Sequence, residues 1–244
     1  MFRSMRSPAP ERRLPAVVQQ RRAPTEDELA AIPWLERLKP QDRRFAEKAI
    51  EVGQIPQGDY ICIAGKPVRY WLGVVDGLFK MSNHRIDGTT ISYAGIPKSC
   101  WFGEGTALKR ESYRYNIQAL RKSTIAALPL EAFHTLLDRS IEFNRVIMGQ
   151  LNERVGQFIA GREMDRLSNP DARVARSLAA LVNPVLAPNA DRSLRITQQE
   201  LAYLIGLSRQ RVNMALVRLQ AQGLVQLEYG GLQVLEPATL AQYE

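Results

Sequence analysis

The sequence predicts an α+β protein: an antiparallel β-roll or jelly roll, one long helix, and a compact unit of short helices closed by a β-hairpin. Three observations predict it. Between about Gly53 and Leu128, turn signals recur every eight to twelve or so residues as "PQGD", "AGKP", Asp76-Gly77, Asp87-Gly88 and "GIPKS", with short apolar runs between them. From Ile141 to Leu167 no proline interrupts the chain and the apolar period becomes helical. Beyond Asn169, capping residues follow one another closely until "LVQLEYGGLQVLE" reads as a hairpin.

Composition sets the outer bounds. The chain has 244 residues, 45% of them hydrophobic and 24% charged, enough to bury one large core or two ordinary ones. Cys62 and Cys100 are the only cysteines, too few for a four-thiolate zinc or iron-sulfur site and unlike a secreted disulfide framework, so a reducing cytoplasm is expected. A net charge of +8 and an isoelectric point near 9.7 favour a polyanionic partner, since basic surfaces displace the counterions of phosphates. No run approaches the ~20 apolar residues of a spanning helix, and the start of the chain lacks the apolar segment of an export signal.

Taken in order, residues 1–24 are rich in Arg, Pro and Gln and read as a disordered basic arm; a nucleic-acid-binding arm is the alternative. Leu29, Ile32, Trp34, Leu35 and Leu38, then Pro40, Phe45, Ala46 and Ile50, read as short amphipathic helices opening a domain over 25–138. Its strands include Tyr60-Ile61-Cys62-Ile63, Tyr70 to Val75, Thr90 to Tyr93 and Ser123 to Leu128. Leu130 to Asp138 is a short helix, and residues 139–168 hold the long one, close to 40 Å at about 1.5 Å per residue. Within it Asn144, Met148, Leu151, Val155, Phe158 and Arg162 alternate four-and-three spacing, which draws one apolar seam. That seam packs either on the chain's own sheet or on a twin helix, and Met148, Leu151, Val155 and Phe158 are the expected dimer contacts.

"SNPDAR" opens the last domain, 169–244: Asn169 caps, Pro170 takes the first helical position and Asp171 suits the helix dipole. Thr197 and Glu200 form a capping box for a helix whose inner face is Leu201, Leu204 and Ile205. Gly206 breaks it, and Ser208 caps a second helix from Arg209 to about Gln220 with Val212, Leu216 and Leu219 inside. Arg209, Gln210, Asn213 and Met214 are left outward at the end a recognition helix inserts into the major groove, where Arg pairs with guanine and Asn or Gln with adenine. Thr197, Ser208, Arg211 and Arg218 are placed for phosphate. With the hairpin at Tyr229-Gly230-Gly231 as a wing, the unit reads as a winged helix-turn-helix.

On "ITQQELAYLIGLSRQRVNMALVRLQAQGLV", and on the order of roll, long helix and winged unit over roughly Glu26 to Glu236, the chain resembles the Crp/Fnr superfamily of bacterial transcription regulators. The resemblance implies a homodimer on a roughly palindromic operator in double-stranded DNA, with half-sites about 34 Å apart, a hinge at Asn169, Pro170 and Asp171, and RNA polymerase as a further partner of an activator. Arg209 matches the first base-reading arginine of the cyclic-AMP branch, whereas Gln210 and Met214 stand where that branch has charged readers. The resemblance also marks an effector pocket in the roll at Gly103, Glu104 and Arg114, where a carboxylate takes ribose hydroxyls and Arg forks onto phosphate. Tyr115 and Asn116 replace a small hydroxyl residue and Ala, and Phe158 and Ile159 replace a polar pair at the base end. These departures argue for a small anionic effector other than cyclic AMP, for an internal Glu104–Arg114 ion pair, or for a regulator that needs no effector.

Other classes fare worse. A jelly-roll metalloenzyme needs clustered His and carboxylate ligands, and His84 and His134 are too few and too far apart in sequence; haem would have to draw its axial ligands from these two or from Cys62 and Cys100. No nucleophile triad or phosphate loop appears, so no enzyme is expected. A cyclic-nucleotide-binding-like scaffold acting by protein contact is the remaining alternative.

Overall fold

The computed structural model describes residues 21–84, 90–164, 169–188 and 192–244, with the side chains of residues 162–164 excepted. The arm before residue 21, the Asp87-Gly88 turn, the Arg162 side chain and the helix end at Leu167 lie outside the described residues.

Thr25 and Glu28 close a capping box on α1 (Glu26–Ala30), and Pro40 opens α2 (Pro40–Ala49) after a single tight turn at Leu35–Arg37. The roll follows as β1 (Glu51–Ile55), β2 (Tyr60–Cys62), β3 (Tyr70–Asp76), β4 (Leu78–His84), β5 (Thr90–Pro97), β6 (Trp101–Phe102), α3 (Glu104–Lys109), β7 (Asn116–Ala119) and β8 (Ser123–Pro129). Two antiparallel sheets, ordered β1-β8-β3-β6 and β2-β7-β4-β5, face one another, and the Asp76-Gly77 turn carries the chain from one to the other. This is the expected roll. It starts earlier than its turn signals suggest, because Arg22 pairs with Val52 of β1 and Arg21 reaches Glu51, so the last residues of the supposed arm belong to the fold.

Against the β1-β8-β3-β6 sheet lies an aromatic core drawn from distant segments, with Trp71 and Trp101 from its strands and Trp34, Phe133 and Phe143 from helical segments. Trp34, Trp71 and Trp101 pack at tilted and edge-on angles with centroids 4.4–5.2 Å apart, and Phe133 and Phe143 meet them edge-on. Gly73 on β3 is required by this packing: a Cβ there would lie 2.2 Å from the Trp101 ring.

The roll ends in α4 (Leu130–Arg139), and α5 (Ile141–Met164) runs on as the long helix. Phe143, Val146, Ile147 and Gln150 are buried on its roll-facing side, with Leu151, Arg154 and Gln157 continuing that side half-buried. The opposite side exposes Ile141, Arg145, Met148, Asn152, Val155 and Ile159. This exposed stripe keeps the expected four-and-three spacing, but rotated: Leu151 turns toward the cavity and core of its own roll, and Asn144 spends its amide on Leu137 O and Ser140 O. At about 100° per residue the two alternatives differ by less than a quarter turn, too little for sequence spacing to separate.

The C-terminal unit comprises α6 (Pro170–Leu181), β9 (Ser193–Leu194), α7 (Gln198–Ile205), α8 (Arg209–Ala221), β10 (Val225–Glu228), β11 (Gly231–Val234) and α9 (Pro237–Ala241). Val174, Leu178, Leu201, Val212, Leu216, Leu219 and Val234 form its own core. Asn169, Pro170 and Asp171, expected as a hinge, are fastened into this unit: Asn169 Nδ2 donates to Glu244 O, and Arg218 donates to Asp171 at 2.7 Å. The unit docks on the roll through α7. Arg121 donates to both oxygens of Glu200 at 2.8 Å, Ser92 donates to Tyr203 O at 3.2 Å, and the buried Lys80 ammonium sits 3.4 Å from the Tyr203 ring centroid.

Candidate DNA interface and effector cavity

The helix-turn-helix is built as its caps require. Thr197 Oγ1 accepts from Glu200 N while Glu200 Oε2 accepts from Thr197 N at 2.7 Å. Gly206 takes the left-handed conformation at φ 72°, which lets the chain turn sharply into Ser208, whose Oγ accepts from Arg211 N at 3.2 Å. Val212, Ala215, Leu216 and Leu219 bury one face of α8, and Arg209, Gln210, Arg211, Asn213, Met214 and Val217 stand on the exposed face. The four expected base readers are therefore brought together at the N-terminal half of α8, and Gln198 Nε2 orients the Asn213 carboxamide by donating to its oxygen at 2.9 Å. Tyr229 is wholly exposed at the wing tip between β10 and β11.

Two of the expected phosphate contacts are otherwise engaged. Thr197 Oγ1 also donates to Glu200 Oε2 at 2.9 Å, so its hydroxyl is used in both directions within the capping box. Arg218 lies toward the other end of α8 and ties it to Asp171 on α6. Arg211 is exposed, and the Ser208 hydroxyl keeps its proton for a further bond while capping.

The second site is a cavity of about 680 Å³ between the roll, α5 and the C-terminal unit. Gly103, Glu104, Arg114, Tyr115 and Phe158 all line it; Ile159, on the far side of α5, does not. Glu104 is only 1% exposed at the start of α3. Its partner is not Arg114, which is 72% exposed and bonds Glu111 at 2.9 Å. Arg154 of α5 takes Glu104 Oε1 and donates at 2.7 Å to Trp101 O. Burial lowers the Arg154 pKa, but the Glu104 charge, the Cys100 sulfur and the hydrogen bonds to both together outweigh it, so the guanidinium's pKa is raised. Glu104 Oε2 remains buried without a hydrogen-bond partner.

Burial raises the pKa of the Tyr115 phenol on the cavity wall, with the Glu104 charge adding to it. Asn116 turns away, accepting from Ala64 N and donating toward Asn83. The C-terminal unit supplies a wall of its own through Arg173, Ser177, Leu204 and Ile205. Among the described residues no group of three His, Cys, Asp or Glu could hold a metal ion. His134 bonds Ala107 O, His84 contacts Tyr60 and Thr90, and burial pushes the Cys62 thiol up to about 12 and also raises Cys100.

Sequence spacing missed Arg154, although a signal was present: the roll-facing side of α5 runs Phe143, Ile147, Gln150, Arg154, Gln157, turning polar where it passes Glu104. Polar residues on a buried face announce a buried partner.

Comparison with known proteins matches both domains. Residues 52–140 match the model of the cyclic nucleotide-binding domain, and residues 172–243 match the Crp-like helix-turn-helix domain. The chain belongs to the Crp/Fnr superfamily of transcription regulators. It is 26% identical over 201 residues to the transcriptional regulator LdrP of Thermus thermophilus, covering 81% of this chain and 94% of that one. It is 27% identical over 210 residues to the cyclic AMP receptor protein of the same organism, covering 85% and 94%. The fold also matches that of FixK2 from Bradyrhizobium japonicum, with a TM-score of 0.62 at 14% identity over 79% of this chain and 96% of that one. It is thus a DNA-binding transcription regulator and not an enzyme, and no helix among the described residues is long and apolar enough to cross a membrane.

Proposed function

We propose that this regulator binds a roughly palindromic operator as a homodimer, reading bases with Arg209, Gln210, Asn213 and Met214. The carrying observation is the exposed polar end of α8, which presents these four side chains over a fully buried inner face. Arg209 is the fork-shaped donor suited to guanine, and Asn213 and Gln210 suit adenine. Met214 offers only apolar contact, which selects for a thymine methyl. Arg211 serves phosphate together with the Ser208 hydroxyl. Where the bound dimer abuts a promoter, RNA polymerase is its protein partner.

Gel-shift titration tests the assignment. Arg209→Ala is expected to cost about 1–3 kcal/mol on the operator and to relax preference at one base pair. Arg211→Ala is expected to weaken operator and random DNA alike and to lower the salt slope by about one per site. Equal losses on specific and random DNA for both variants would remove the distinction.

For the cavity we infer a small anionic effector that carries a hydroxyl donor and is not cyclic AMP. Glu104 Oε2 supplies the buried acceptor, and Arg154, Arg114, Lys109 and Arg173 outnumber Glu104 and Glu111 around the cavity. Tyr115 and Phe158 both line the cavity, at positions where the resemblance puts a small hydroxyl residue and a polar residue in the cyclic-nucleotide branch. Operator affinity is expected to stay within about twofold when cyclic AMP is added at millimolar concentration, an affinity ratio worth under ~0.5 kcal/mol of coupling. A rise of tenfold or more would overturn this reading.

A further inference from the structure

On its roll-facing side α5 meets the segment Ser99–Trp101 at two levels. At the second level the contact is direct, through Arg154 to Trp101 O and Glu104. One turn earlier on α5 comes Gln150, only 8% exposed, whose Oε1 has no hydrogen-bond partner. Two residues before Trp101 comes Ser99, 2% exposed and held at φ 65°, whose Oγ is likewise without one. Trp34, from the segment after α1, brings a third such atom, its buried indole Nε1. All three residues line one cavity of about 30 Å³.

Gln150 lies one helical turn before Arg154, and Ser99 lies in the turn two residues before Trp101, so both stand beside the Arg154–Trp101 contact and line the same cavity. The chemistry of the three atoms is complementary. An indole N–H only donates, an amide oxygen only accepts, and a hydroxyl does either. Left unmet, each would carry a desolvation penalty of about 1–3 kcal/mol. A cavity of about 30 Å³ exceeds the roughly 10–15 Å³ a water needs, and buried waters make about three hydrogen bonds. A metal cation or an ammonium ion does not suit the site, because neither accepts from the indole N–H.

We propose that this cavity is a binding site for a single water molecule, which accepts from Trp34 Nε1, donates to Gln150 Oε1 and pairs with Ser99 Oγ. The water is one fastening that holds α5 in register on the roll; the Arg154 pair, one turn further on, is another. It joins three segments that share no direct polar bond at this point: the N-terminal helices, the turn before β6, and the long helix. The register so held determines where Arg154 meets Glu104.

Two measurements on the full-length chain test this without effector or DNA. A high-resolution crystal structure is expected to show one ordered oxygen about 2.7–3.2 Å from all three atoms. A dry cavity, or the three side chains bonded to other groups, would overturn the site. Hydrogen exchange then tests its role. Gln150→Leu and Ser99→Ala are each expected to speed exchange of the α5 amides around residues 147–154 about tenfold or more, from the loss of one shared water. The double variant should exceed the faster single by less than about twofold, since both changes remove the same water. Single effects that multiply in the double variant, or α5 exchange unchanged in all three, would refute the fastening.

Discussion

Replacing Arg154 by methionine is expected to destabilise the roll by about 3 kcal/mol, and replacing Glu104 by glutamine in the same chain should restore most of the loss. Glu104 is buried and its only described charge partner is Arg154, so the single change leaves a carboxylate in the interior with its charge uncompensated. Breaking a buried pair from one side costs about 3–5 kcal/mol, and the lower figure applies because the Arg154 side chain keeps 26% of its surface in solvent. Glutamine removes the charge while keeping an oxygen and an N–H in its place. Recovery should stop about 1 kcal/mol short, because Trp101 O still lacks the donor it had from Arg154. Denaturant unfolding of wild type, the two single variants and the double variant measures the cycle. A double variant as unstable as Arg154→Met alone would show that Arg154 acts through packing and not through Glu104. Under the proposed effector binding the pair would matter to regulation too, since an effector that bonds Glu104 must share it with, or take it from, a residue of the long helix.

Val155→Glu, or Met148→Glu, is expected to convert the dimer to monomer and to lower operator affinity by about 10²–10⁴-fold, the avidity lost when two linked reading units become independent. Both residues lie on the exposed stripe of α5, Met148 60% and Val155 57% exposed, with Ile141 and Ile159 at the expected spacing on either side. A charge at the centre of such a stripe carries a desolvation cost in each copy and meets its own like charge across a two-fold axis. Neither residue touches the described core of the roll, so the monomer should stay folded. Sedimentation with gel shift on the same samples reads both effects. A variant that remains dimeric would place the interface elsewhere. A monomer with wild-type operator affinity would refute the two-headed reading.

The DNA-binding unit was legible residue by residue because its signals are local. The Thr197–Glu200 box, the Gly206 turn and the Ser208 cap act within four positions along the chain, and the structure realises all three. The roll was legible through its turns, which are local too. Its first strand and α3 were not: β1 lies before the first clear turn signal, and α3 begins on a left-handed glycine, with no side-chain cap to advertise it.

Contacts between distant segments were the part that remained open. Glu104, Arg114 and Arg154 all carry the right charge for an ion pair, and only the packing of α5 on the roll selects Arg154 while leaving Arg114 in solvent beside Glu111. The seam of α5 shows the same division, since spacing places a stripe on the helix and the roll's contact decides its rotation, turning Leu151 inward and Ile159 outward. By itself the sequence determined the order of roll, long helix and winged unit, the DNA-reading end of α8, and a pocket carrying a carboxylate. Tertiary structure alone decided which arginine meets that carboxylate and which face of α5 stays exposed. Caps and turns are short-range interactions written in neighbouring residues, whereas a charge partner or a buried face depends on segments brought together from about fifty positions apart.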